Sequence, residues 1–553
     1  MKFIAKCIFI LLLCSLVILF ILSLKAGYQH SLDFFISLKG QQRNAEKLYA
    51  LLPISKFHFI QKLMIGIFLA MAGALFYFNE LYTKIAFYVK DFWKVIRNEL
   101  AFCIQSEGKY VLLLPFLLSC FFAFWIPVSY DEAWTYLNFT SKGIFSSITY
   151  YPAPNNHILH SVITNITSFI PFVDTLLCMR ISTILFNTLC WCIAYCFTTK
   201  YFNKTTALVV IGVSSMLFMS ILYSYMSRGY ALVSLFFITA LYSAFNIIMK
   251  EEKERNWIAF GISAILGFYS MPSFLYPLLT LNALIFLADN KHLKKIITVN
   301  FYILITTGIL YLPVMIISGT DALINNRYVT SIPREQVLKK LPAFFSDTLT
   351  EITGIPWIII LLLLAVAFIT ILVKKDKRQL LLFGIFLLSP FALLIAHSVI
   401  PFGRTFIYYH FLLCLLILIP WKEKIRKVKE SYLITIILLI QGALVYNFYT
   451  KIKAYDNYSF TTQQVVRQIK GNKGYVCNDG LFDAFLLFEL DSGKFKKSWM
   501  NYYNNVEMSA DTIYNMDYII INTTVDKTSH KLPKIQTKYY NVYEGTFLNR
   551  DNN

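Results

Sequence analysis

Two adjacent carboxylates, Asp131 and Glu132, stand just past an uncharged apolar run from Val111 to Val128. They belong to the segment Ser-Tyr-Asp-Glu-Ala-Trp-Thr-Tyr, Ser129 to Tyr136. An ionisable side chain beside lipid is costly, and where one is kept it usually marks a site. A carboxylate within reach of an acceptor hydroxyl can take its proton as that oxygen attacks, which is general-base catalysis. A second carboxylate can hold the acceptor, bind a metal or raise its neighbour's pKa. The plainer reading is structural. Ser129 and Glu132 fit the S-x-x-E capping box, with Ser129 capping a helix whose third position is Glu132.

A polar, aromatic stretch follows, Tyr-Pro-Ala-Pro-Asn-Asn-His from Tyr151 to His157. Its prolines stiffen the approach, and Asn155 or Asn156 can cap the next helix. Amides and an imidazole offer donors and acceptors suited to sugar hydroxyls or phosphate oxygens. His157 and His160 could share a metal, but the spacing supplies no third ligand. Two later turns each carry a cation: Ser227-Arg228-Gly229-Tyr230, and Pro401-Phe402-Gly403-Arg404-Thr405 followed by Tyr408, Tyr409 and His410. Guanidinium pairs phosphate bidentately, so two such groups with one carboxylate suit a reaction in which a lipid phosphate leaves. The plain alternative for Arg228 is snorkelling to headgroups, and Arg180 reads as an anchor at the start of a span. Arg327 and Arg334 are cations of lower rank.

The elements that must position these residues are membrane helices. Of 553 residues, 57% are hydrophobic and 15% charged, against about 25% charged in a soluble protein. Many uncharged runs of roughly 18 residues or more mark an all-α polytopic membrane protein; a β-barrel would show short alternating segments instead. The net charge of +20 sits mostly in short clusters between apolar runs, which points to cytoplasmic anchoring and away from nucleic acid. About thirteen spans meet the ~20-residue criterion, near 7–24, 60–78, 111–128, 178–198, 205–226, 230–248, 257–270, 272–288, 297–317, 355–373, 379–396, 405–420 and 432–449. The pair meeting at Pro272 reads as two short helices or one broken pair.

The connections holding Lys200 and Lys204, Lys250 to Arg255, Lys291 to Lys295, Lys374 to Arg378 and Lys422 to Lys429 fall on one side of this alternation, which the positive-inside rule makes cytoplasmic. The N-terminus is then cytoplasmic and the C-terminal tail extracytoplasmic. The loop 25–56 disagrees, carrying Lys25, Lys39, Arg43, Lys47 and Lys56 on the outer side. The large loops 129–177, 318–354 and 397–404 gather outside with the tail. Apolar residues at helical spacing between Asn156 and Ile170 predict an amphipathic helix on the membrane surface. Three parts follow: 1–110, an anchor pair and cytoplasmic linker; 111–449, the catalytic membrane domain; and 450–553, a small extracytoplasmic α/β domain. In the last, 461–470 and 483–490 are expected as helices and 474–478 and 518–522 as strands. The cysteines, nearly all in apolar runs, read as small hydrophobes.

Taken together, the Asp-Glu pair, Pro154 to His160, Ser227 to Leu232 and Pro401 to Thr405 resemble the GT-C superfamily of membrane glycosyltransferases. More narrowly, they are similar to bacterial members related to protein O-mannosyltransferases and to the aminoarabinose transferases of lipid A, over about residues 111–449. The resemblance implies a polyprenyl-phosphate-linked sugar as donor, an extracytoplasmic lipid, glycan or protein as acceptor, and inverting displacement at the outer face of a bacterial inner membrane. It implies Asp131 as the catalytic carboxylate and Arg228 and Arg404 as partners of the leaving lipid phosphate. Glu132, Tyr136, Tyr151, Asn155, Asn156, His157, Tyr230 and Tyr408 are then expected to bind donor or acceptor. The chain departs from the family in its extra N-terminal spans. It also lacks the lumenal sugar-recognition domain of the protein mannosyltransferases and the Trp-Trp-Asp motif of the oligosaccharyltransferases. No metal ligand is assigned, and a divalent ion stays open. The rival readings are a transporter or flippase of lipid-linked saccharide, expected to place ionisable groups near mid-bilayer, and a polysaccharide polymerase or ligase.

Overall fold

In a computed structural model, the structure describes residues 2–37, 49–50, 52–249, 254–324, 331–468, 474–477, 484–485, 488, 516–523 and 532–544. Helices dominate because the apolar runs leave the backbone no other way to satisfy its polar groups in lipid. The N-terminal helix α1, Lys2–Ser37, bends at Gly27, where φ is 66°; only glycine takes such a φ without strain. The next, α2 (Ile54–Phe76), pairs with it. The helix α3 (Phe78–Gln105) occupies what the sequence left as a linker. Then come α4 (Gly108–Trp125) and the short elements that follow it, α5 (Tyr130–Thr135), α6 (Ile144–Thr149) and α7 (Ile158–Thr167). The buried centre is built by α8 (Thr175–Tyr201), α9 (Lys204–Ser214), α10 (Phe218–Tyr225) and α11 (Tyr230–Ile248). Around them stand α12 (Glu254–Ser270), α13 (Leu275–Ala288), α14 (Leu293–Ile317), α15 (Arg334–Thr353), α16 (Trp357–Lys374), α17 (Lys377–His397), α18 (Tyr409–Leu418) and α19 (Glu430–Tyr455).

Among the described residues, nine helices are long and apolar enough to cross a membrane, or ten if α9 and α10, bent by 74°, form one span. The expected thirteen are therefore not all present as full spans. The runs at 257–270, 272–288 and 405–420 do fold as helices. However, α12, α13 and α18 have 17, 14 and 10 residues, and ten residues rise only about 15 Å. The break at Pro272 is a short 3-10 turn, Pro272–Phe274, that separates α12 from α13.

Contacts sort the connections into two ends. At one, Lys204 pairs with Glu107 and Glu430, Asn203 reaches the Lys422 carbonyl, Lys374 the Pro420 carbonyl, and Arg255 faces Asp91. At the other, Tyr151 N–H donates to Ser318 Oγ and Ile332 N–H to the Ser398 carbonyl. Leu32 and Leu52, flanking the first interhelical loop, pack on Ile317 at this second end.

The tail adds α20 (Asn457–Gln468) and a four-stranded sheet in the order β1-β2-β4-β3: β1 Gly474–Cys477, β2 Met516–Asn522, β3 Ile535–Gln536 and β4 Tyr540–Glu544. Strand β1 runs parallel to β2, and the other pairings are antiparallel. The helix expected at 461–470 starts earlier, at Asn457. The one expected at 483–490 falls mostly outside the described residues, although Ala484, Phe485 and Phe488 are helical.

Candidate active site

The chain leaves α4 at Ile126 and re-enters a helix at Ser129. Ser129 Oγ accepts from Glu132 N–H at 3.3 Å, and Glu132 Oε2 accepts from Ser129 N–H at 3.0 Å, completing a capping box. The Glu132 carboxylate is also fully buried against Arg180. Arg180 Nε donates to Oε1 at 2.8 Å and Nη2 to Oε2 at 2.6 Å. The remaining guanidinium hydrogens go to the carbonyls of Ala123, Ile126 and Pro127 at 2.8–3.0 Å. Arg180 thereby satisfies carbonyls that the end of α4 leaves without helical partners. Glu132 Oε1 additionally accepts from Ser227 N–H at 2.7 Å. One ion pair thus ties α4, α5, α8 and the Ser227–Gly229 turn together. Burial would raise the Glu132 pKa, but the Arg180 charge and its hydrogen bonds outweigh it and hold the carboxyl below its ordinary value. Glu132 is therefore a positioning residue and not a substrate contact. Arg180, expected as a surface anchor, is the buried half of the tie.

Beside this knot, Asp131 stays partly open. Its Oδ2 lies 3.8 Å from Arg404 Nη1 and 4.0 Å from Arg228 Nη2. These are Coulomb contacts longer than hydrogen bonds, so the carboxylate lies between two guanidinium groups without being locked to either. Arg228 is 2% exposed. Its Nη1 donates to Thr135 Oγ1 at 2.7 Å and to the Asn155 carbonyl at 3.0 Å, while its buried Nε has no partner among the described residues. Arg404, on the 3-10 turn Gly403–Phe406, stands over the Phe402 ring with its side chain 29% exposed.

His157 sets the orientation of Arg228. Its Nδ1 accepts from Gly229 N–H at 2.8 Å, which in a neutral ring places the proton on Nε2. Nε2, 3.4 Å from Arg228 Nη2, is then a donor facing a donor, and the contact is packing. Burial first, then the Arg228 charge, pushes the His157 pKa well below its ordinary value, so the ring stays neutral. His160 is likewise held down, to about 3, by burial and Arg228. Its Nε2 meets Thr183 Oγ1 and not a metal partner of His157. Gly229 is required here, since a Cβ would come within 2.8 Å of His157 Cβ.

Other expected contacts are corrected by burial. Asn156 spans its own loop, donating to the carbonyls of Ser147 and Tyr150 and accepting from Ser161 Oγ at 2.8–2.9 Å. Tyr151 packs with Ile158, Tyr311 and Val314. Tyr408 is buried against Phe237, far enough inside that its hydroxyl has no partner among the described residues. Tyr136 sits edge-on to Phe488 of the tail at 5.1 Å. Asn155 meets Arg228 through its backbone carbonyl. Tyr230 packs on His157 and, at 4.0 Å, on Tyr223. Arg334 is exposed at the start of α15, and Arg327 lies outside the described residues.

No family model matches the chain. No curated protein matches it either. The site therefore rests on its own geometry, which adds residues the sequence did not single out. Glu351 of α15 lies beside Gly403 and accepts from the Tyr455 hydroxyl at 3.3 Å; burial raises its pKa, against the pull of Arg404. Asp456 caps α19 and accepts from Ser459 Oγ at 2.6 Å. Burial, with Glu132 and Asp131 nearby and Ser459 opposing, raises its pKa to about 6. The phenols of Tyr230, Tyr223 and Tyr455 lie within electrostatic reach of Arg404. The only sequence signals were a carboxylate in a loop helix and one at a helix end. Among the described residues, no three His, Cys, Asp or Glu side chains gather as metal ligands.

Proposed function

We propose that the chain is a membrane glycosyltransferase of GT-C type, moving a sugar from a polyprenyl-phosphate donor to an acceptor hydroxyl. The observation that carries this reading is Asp131 lying between Arg228 and Arg404 at one end of a lipid-facing bundle. A carboxylate between two guanidinium groups that are not locked to it is arranged to be exchanged. When a phosphate enters, the guanidinium groups turn from Asp131 to its oxygens, and Asp131 is released to accept a proton. The acceptor oxygen then attacks the anomeric carbon as the C–O bond to phosphate breaks. The proton passes from the acceptor hydroxyl to Asp131, and the negative charge left on the lipid phosphate is met by Arg228 and Arg404. One displacement inverts the anomeric centre. The basic clusters at the opposite end of the bundle favour an extracytoplasmic site by the positive-inside rule.

The test is purified protein in proteoliposomes with a radiolabelled polyprenyl-phosphate sugar, scored for release of polyprenyl phosphate. Asp131→Asn should lose release while keeping its unfolding temperature. Full release by that variant would remove Asp131 from the mechanism.

A further inference from the structure

The helix α3 belongs neither to the spans nor to the candidate site. It has 28 residues, so it is roughly 42 Å long, and its seven charged side chains keep it from crossing a bilayer. Only Tyr77 separates it from α2, and only Ser106 and Glu107 separate it from α4. Both of its ends are therefore pinned where spans leave the membrane, at the end of the bundle that holds Lys204 and Glu430. A long helix fixed in this way lies along the bilayer surface.

Its faces differ in character. Leu81, Ile85, Val89, Phe92 and Trp93 share one flank at helical spacing and are exposed, Ile85 by 60% and Trp93 by 66%. On the adjoining flank, which begins where Trp93 lies one turn from Lys90 and Arg97, Lys90, Lys94 and Arg97 are exposed and make no ion pair among the described residues. The part of the helix from Asp91 to its C-terminus meets the bundle: Asp91 faces Arg255 at 3.7 Å, Glu99 accepts from Tyr242 at 3.2 Å and Cys103 is buried. The helix is thus held to the protein over that part, while the apolar flank of its N-terminal half is uncovered next to the spans α2 and α4.

We infer that α3 is an interfacial helix whose apolar flank enters the bilayer and whose Lys90, Lys94 and Arg97 bind anionic phospholipid headgroups. The bilayer is the occupant because both neighbours of α3 are spans, so their lipid surface continues onto it. The unpaired cations call for anions at headgroup depth. The inference does not depend on which end is cytoplasmic or on the glycosyltransferase reading.

The experiment uses full-length protein in phosphatidylcholine vesicles with and without phosphatidylglycerol. Single nitroxide labels are placed at 81, 85 and 92 and, separately, at 90, 94 and 97, and their oxygen and nickel-chelate accessibilities are compared. The first set should be oxygen-accessible and nickel-shielded, the second the reverse. In parallel, the Lys90→Gln/Lys94→Gln/Arg97→Gln variant should co-purify severalfold less phosphatidylglycerol than the parent at equal yield. Water-accessible labels at 81, 85 and 92 overturn the inference and point to a soluble partner instead. Unchanged phosphatidylglycerol retention in the variant overturns the headgroup role.

Discussion

Replacing Glu132 by Gln tests the central claim about how the site is held. The Glu132 carboxylate accepts five hydrogen bonds, from Ser129 N–H and Oγ, Arg180 Nε and Nη2, and Ser227 N–H. A Gln carbonyl can keep those at one oxygen. Its NH₂ then faces donors at the other, and Arg180 is left charged and buried with only carbonyls for company. Breaking one half of a buried ion pair typically costs about 3–5 kcal/mol, which lowers the folded-to-unfolded ratio by at least about 100-fold. The assay is unfolding in mixed micelles titrated with a denaturing detergent, for parent, Glu132→Gln, Arg180→Met and the double variant. The double variant should recover about 2 kcal/mol relative to the sum of the singles, because it removes the orphaned charge. Polyprenyl-phosphate release should also fall in Glu132→Gln, since Ser227 loses its acceptor and Arg228 moves with it. The pH dependence has a definite sign. The Glu132 carboxyl is held below its ordinary 4.5 in the folded state. The stability it contributes is therefore present above that value and is lost as pH falls through the depressed one. A Glu132→Gln protein within about 0.5 kcal/mol of the parent, or strictly additive singles, would refute the ion pair as the tie.

Further outcomes follow from the same geometry. Asp131→Asn should slow release by about 10²–10⁴-fold with an unfolding midpoint like the parent's, measured by single-turnover release and detergent titration. Arg404→Lys keeps the charge but loses the fork, so the donor concentration giving half-maximal rate should rise while the acceptor dependence stays put. Gly229→Ala should push His157 away and with it Arg228, cutting release at least tenfold, and a normal rate would show that the close approach is dispensable. The Asp456 pKa is raised from 3.8 to about 6, so its contribution to stability is present below 3.8 and is lost as pH rises through about 6. The parent should therefore lose stability relative to Asp456→Asn over that window, and a constant difference between the two would contradict it.

The sequence made the membrane class and the Asp131, Arg228 and Arg404 trio legible because composition and local motif carry both. Charged residues interrupt apolar runs only where chain leaves lipid, and Ser129 with Glu132 announces a cap within four residues. What it hid was long-range. Arg180 lies 48 positions from Glu132, so a buried pair and a surface anchor look alike in the chain. Asn156, Tyr151 and Tyr408 carry polar groups close to loops in sequence, yet tertiary packing turns them inward. Fewer than thirteen helices are long enough to count as spans among the described residues because α12, α13 and α18 are apolar but short, and periodicity does not measure where a helix stops. The helix α3 was passed over because its hydrophobicity lies on one face and averages away along a window.

The 74° bend between α9 and α10 bears on depth. Counted from Lys204, eleven helical residues climb about 16 Å, and the eight that follow lie so far over that they add only about 3 Å along the same axis. Every residue of α10 is buried, so the turn that carries Arg228 follows a packed crosspiece and not the free end of a straight helix. Ser227 is tied at the same point to Met179 and Glu132. A nitroxide label at Ser224, within the crosspiece, should therefore show the immobilised spectrum of a core position, and a loop-like spectrum there would contradict it.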